Sequence, residues 1–132
     1  MPLKIKSILA EVETGDGWRI SVMSRHTLSD GITPDQRITK DKYNEHIQEL
    51  APSDKLIGDY YKRNLSWGDF EKRYKKELNE PKKAERVKTL ALKALKETVT
   101  ILCVEEKPDF CHRRLLAEEC KKHEPTLEVI LQ

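Results

Sequence analysis

The sequence predicts an α/β fold: a three-layer sandwich with a small, mostly parallel sheet of about four strands flanked by helices, Rossmann-like in plan. Three observations carry that expectation. Thr98-Val99-Thr100-Ile101-Leu102 is a β-branched apolar run followed at once by apolar residues at helical spacing, Leu115, Leu116, Ala117 and Cys120. The run Leu127-Glu128-Val129-Ile130-Leu131 then completes a strand-helix-strand unit. A long helical-period block fills about 43–97, and helical crossovers join parallel strands with right-handed connections. At 132 residues the chain is expected to form a single domain, 1–132.

From the amino end, Lys4-Ile5-Lys6-Ser7-Ile8-Leu9 alternates polar and apolar residues and predicts a strand at a sheet edge. Thr14-Gly15-Asp16-Gly17 is a turn, and Trp18-Arg19-Ile20-Ser21-Val22-Met23 predicts the second strand. Ser29 to Asp41, with Gly31 and Pro34 and little apolar content, predicts a loop over or beside the sheet, long enough for a lid. Ile47, Leu50, Leu56, Ile57, Tyr60 and Tyr61 suggest two short helices divided by Ala51-Pro52-Ser53, with Ser53 as a cap. Trp67, Phe70, Tyr74 and Leu78 recur every three or four residues, which predicts a helix ending near Pro81. Aromatics at that spacing belong more often to a core than to a ligand platform. Val87, Leu90, Ala91, Ala94 and Leu95 form the core stripe of the next helix.

Composition narrows the function classes. Charged residues make up 36% of the chain, yet the formal net charge is only +2, because acids and bases are interleaved. A dedicated nucleic-acid binder is therefore not expected. No apolar run approaches the roughly 20 residues of a membrane span, and Met1 to Lys6 lacks a signal-peptide core, so a cytoplasmic protein is expected. Three cysteines fit a reducing compartment better than a disulfide framework.

The distinctive chemistry lies between Cys103 and Arg114. Asp109 can cap the following helix, placing Phe110, Cys111, His112 and Arg113 in its first turn, where unpaired N–H groups and the helix dipole favour anions and thiolates. Cys111 is the expected nucleophile, His112 its acid, base or thiolate partner, and Arg113 or Arg114 a clamp for a phosphate or carboxylate. On the preceding strand Cys103 and Glu105 point to the same face as Ile101 and bring a second thiol and a carboxylate toward the opening. Ordinary structural roles compete with each assignment. Cys103 can simply pack, His112 can be a surface residue, and the arginines can pair with Glu118 and Glu119. Cys120 reads as a small core residue beside Leu116. A metal held by Cys103, Cys111 and His112 is disfavoured, because the Cys-x7-Cys spacing is not a zinc pattern and adjacent Cys-His ligands rarely converge.

The stretch Val99 to Ala117, together with Gly17-Trp18-Arg19-Ile20-Ser21-Val22 and Arg25, and with Glu49-Leu50-Ala51-Pro52-Ser53, Trp67, Phe70 and Tyr74, resembles the domain of unknown function 488 family, including its YeaO-like branch. That branch continues after its arginine with a leucine-tryptophan-proline-arginine-glycine run, where this chain has His26-Thr27-Leu28-Ser29-Asp30-Gly31. The resemblance implies a compact α/β fold and gives weight to Cys103, Glu105, Cys111, His112, Arg113 and Arg25 as one site. It implies no reaction, cofactor or oligomeric state. The functional expectation is a thiol-dependent enzyme acting on a small anionic or nucleotide-like molecule. A non-catalytic ligand-binding domain, or a redox-regulatory one using a Cys103–Cys111 disulfide, stands as the alternative.

Overall fold

The structure is a computed structural model that describes residues 2–23, 25–27, 32–103 and 112–131. Five strands form one sheet among these residues: β1 (Pro2–Ser7), β2 (Trp18–Ser21), β3 (Glu45–His46), β4 (Val99–Cys103) and β5 (Glu128–Leu131). Their order is β3-β2-β4-β1-β5, and every pair is parallel. Four helices accompany them: α1 (Asp54–Lys62), α2 (Trp67–Leu78), α3 (Pro81–Lys96) and α4 (His112–His123). The expected α/β sandwich is present, with one strand more than the sequence suggested.

Residues two apart on a strand share a face, and the register aligns Leu3 and Ile5 with Val99 and Ile101, and Ile20 with Ile101. These side chains meet Leu56 of α1, Phe70, Tyr74 and Leu78 of α2, Val87 and Leu90 of α3, and Leu115 and Leu116 of α4 in the main core. Among the described residues the opposite face is covered by connections and not by an α-helix. Ile38 and Tyr43 pack there on a second cluster of Ile8, Met23 and Leu102, which Cys103 joins at the carboxyl end of β4 although its side chain alternates to the Ile101 face. The described part of the loop expected over the sheet thus does lie against it. No helix among the described residues is long and apolar enough to cross a membrane.

Local chemistry accounts for the helix limits. Ser53 and Ser66 are N-caps whose side chains accept the N–H groups of Leu56 and Asp69, each at 3.2 Å. Pro81 opens α3, where its missing N–H costs nothing. Phe70, Tyr74 and Leu78 are buried as their spacing predicts, each such burial being worth about 1.5–3 kcal/mol.

Two expectations are corrected. β1 is interior, between β4 and β5, not at an edge. Its lysines alternate toward a polar connection instead of solvent: Lys6 is buried against Asp16, and the Lys4 ammonium donates to the Gly15 carbonyl at 2.8 Å. The helix expected around Ile47 and Leu50 is instead β3 followed by a single 3-10 turn, Gln48–Leu50. The Ile47 N–H is taken by the Ser21 carbonyl at 2.9 Å, and pairing with β2 outcompetes a helix too short to propagate.

Candidate active site

β4 leaves the sheet for α4 on the helix face, while the connections after β1 and β2 cover the other face. β4 therefore sits at a topological switch, the kind of place where parallel sheets bind ligands at their carboxyl edge. Cys103 ends β4 and His112 begins α4. The Cys103 Sγ lies 3.7 Å from His112 Nδ1, and His112 Nε2 lies 2.8 Å from the Val22 carbonyl oxygen at the end of β2. A carbonyl can only accept, so Nε2 carries the hydrogen, and in the neutral ring Nδ1 faces the thiol with its lone pair. The Tyr74 ring meets the imidazole edge to face at 5.7 Å, at 89°. Cys103 itself is only 2% exposed.

A family model described as "Active DUF488-N3 subclade" matches residues 3–124. The chain belongs to the DUF488 family. Neither the curated proteins nor the solved structures give a significant match. The match spans every strand and helix of this DUF488 protein except β5, and with them the whole β4–α4 crossing.

Of the six residues expected to form the DUF488 site, Cys103 and His112 are brought into contact. Arg113 is fully buried, with Nη1 donating to the Cys103 carbonyl oxygen at 3.4 Å, so it lies against the backbone of the thiol-bearing residue. Its burial has a sequence cause: Arg113, Leu116, Ala117 and Cys120 share one helical stripe and all face the interior. Arg25 stands at the surface, paired with Asp54 at 3.2 Å, with both side chains exposed. Glu105 and Cys111 lie outside the described residues, as does Asp109, the expected helix cap. Arg114 pairs with Glu118 at 2.7 Å. Cys120 is a core residue; burial foremost, with Glu119 adding repulsion, pushes its thiol up to about 12. Among the described residues no group of three or more metal-ligating side chains converges.

A second imidazole group at the same sheet edge has no signature in the sequence. His26 and His46 stack with ring centroids 4.2 Å apart, and Tyr43 lies against His26 at 4.8 Å. His26 Nε2 is 2.7 Å from the Ser21 Oγ, and His46 Nε2 is 2.6 Å from the Met23 carbonyl oxygen. Burial first, and the neighbouring His46 second, lower the His26 pKa to about 4, so the His26 ring is neutral near pH 7. In the sequence His26 stands out only as part of the segment where the family pattern breaks.

Proposed function

We propose that this DUF488 protein is a thiol-dependent enzyme for a small anionic or nucleotide-like substrate, working at the β4–α4 crossing. The observation that carries the reading is the Cys103–His112 contact, with the far nitrogen of the imidazole anchored on the Val22 carbonyl. His112 Nδ1 takes the thiol proton, the thiolate attacks an electrophilic centre, and the imidazolium returns the proton to the leaving group. Cys111 and Glu105 belong to the same proposal, as second thiol and second proton carrier. Arg113 supplies positive charge against the Cys103 backbone, and Arg25, an exposed cation shortly after β2, recruits the anion. The description of the matching subclade as active agrees with a catalytic role.

The test is native-state alkylation of Cys103 in a Cys111→Ser, Cys120→Ala background, with an unfolded control. Base assistance predicts fast alkylation that falls roughly a hundredfold or more in His112→Gln, which keeps the donor to Val22 but has no base nitrogen. Alkylation at the unfolded rate, unchanged by that substitution, would remove the basis for the proposal. Turnover across a panel of small phosphate and carboxylate esters, compared between Cys103→Ser and Cys111→Ser, identifies the working thiol. Ligand binding with no turnover, insensitive to both substitutions and lost in Arg113→Ala, would make the domain a non-catalytic binder instead.

A further inference from the structure

The carboxyl end of β2 is held from both sides by imidazoles. Along a strand, the N–H and C=O of one residue point to the same side, and those of the next residue to the other. Val22 points toward β4: its N–H donates to the Leu102 carbonyl at 3.1 Å, and its own carbonyl meets His112 Nε2. Met23 presents its carbonyl to the β3 side. There the chain turns away after His46 into the 3-10 turn Gln48–Leu50, so the backbone ladder between β2 and β3 stops at Ile47. His46 Nε2 takes the Met23 carbonyl in place of the next backbone N–H. The His46 ring is in turn supported by the stacked His26, which is tied to Ser21.

From this arrangement we infer that His46 is a positioning residue for His112. By gripping Met23 it fixes the Val22-Met23 segment, so the Val22 carbonyl points where His112 Nε2–H can reach it. That bond selects the tautomer whose Nδ1 faces Cys103. None of these bonds joins His46 to Cys103 or His112 directly, and its effect passes through two adjacent peptide groups. The significance of the tautomer rests on the thiol–imidazole reading, whereas the positioning itself does not require any turnover.

Long-range proton–nitrogen NMR of the histidine rings, at a pH where they are neutral, reads this directly. The intact protein is expected to show His112 as a single tautomer protonated at Nε2. His46→Ala is expected to give a mixture of the two tautomers with the fold intact, because the His46 side chain is exposed. His46→Gln retains an N–H donor and is expected to restore the single tautomer. Cys103 alkylation should slow severalfold in His46→Ala and recover in His46→Gln. An unchanged His112 tautomer in a folded His46→Ala would overturn the inference, and so would an Nδ1-protonated His112 in the intact protein. If the tautomer follows His46 while alkylation ignores His112, the positioning stands and only the catalytic reading falls.

Discussion

Asp16→Asn removes a carboxylate that lies between two buried cations on the loop-covered face of the sheet. Lys6, Asp16 and Arg19 are 6%, 2% and 3% exposed. The Lys6 ammonium is 3.1 Å from Asp16 Oδ1, and Arg19 Nη1 donates to Oδ2. The Glu13 N–H donates to Oδ2 at 3.0 Å, and the Asp16 carbonyl accepts from Thr100 Oγ1 at 2.7 Å. An asparagine oxygen in the place of Oδ2 can keep the bonds from Arg19 and the Glu13 N–H, but none of the charge. Removing one partner of a buried ion pair costs about 3–5 kcal/mol, because the remaining charge is uncompensated. Two cations remain here, but Glu13 lies 3.3 Å from Lys6 and is exposed, and Arg19 Nε still donates to the Lys42 carbonyl at 2.7 Å. The low end, about 3 kcal/mol, is therefore expected. With a urea slope of about 1–3 kcal/mol/M, the midpoint falls by about 1–3 M. Acid unfolding gives an independent check. Burial alone would raise the Asp16 pKa, but the Glu13 N–H, Lys6 and Arg19 outweigh it and hold the carboxyl below its ordinary value of 3.8. The charged form thus stabilises the fold above that value, and the contribution is lost as pH falls through the lower, folded-state value. Asp16→Asn should lack this component of acid unfolding. A loss below about 1 kcal/mol, as for a surface pair, would mean that the three charges do not behave as a buried cluster.

One substitution and one labelling measurement probe the fold around the site. Gly17 has φ +64°, and a Cβ there would sit 2.1 Å from the Thr98 carbonyl oxygen, so Gly17→Ala should cost about 3 kcal/mol or more in chemical denaturation. Cys120, with its thiol pushed up to about 12, should resist alkylation in the native protein at pH values where an ordinary exposed thiol reacts, and be labelled only after unfolding, as peptide mapping by mass spectrometry can establish.

The helices were legible wherever a buried stripe runs for several turns. Trp67 to Leu78 and Val87 to Ala94 repeat at helical spacing, and Ser53 and Ser66 announce the starts of α1 and α2. β3 was not legible, because two residues carry no period, and its pairing depends on β2 rather than on its own composition. The interior place of β1 was hidden for a different reason. Alternating lysines look solvent-facing unless the distant Asp16 is known to fold beneath them. At the site, the meeting of a β4 thiol with the start of α4 came from a strand end and a helix start only nine positions apart. The bond from His112 to Val22 crosses ninety positions, and only the sheet order brings it about. The burial of Arg113 was readable from its stripe with Leu116, Ala117 and Cys120, but a cation in an apolar stripe invites a ligand role first.

The position of the thiol within the sheet is itself testable, because β1 offers a control at the same level. Ser7 is paired in register with Cys103 and shares its face, about 4.8 Å away on the neighbouring strand. Both ends are buried, and both belong to interior strands of one parallel sheet. The two strands differ in where the chain goes next. After β1 it turns to the loop-covered face, whereas after β4 it returns as α4 on the helix face with His112 first in the helix. If reactivity came from the carboxyl edge of the sheet in general, a thiol at either end would serve. If it comes from the imidazole, only β4 will do, since a 3.7 Å contact does not survive a shift of one strand spacing. Ser7→Cys combined with Cys103→Ser, with Cys111→Ser and Cys120→Ala to isolate the thiol, should therefore alkylate without dependence on His112. Base-assisted reaction at position 7, lost in His112→Gln, would mean that the imidazole reaches across strands and that β4 holds no special place.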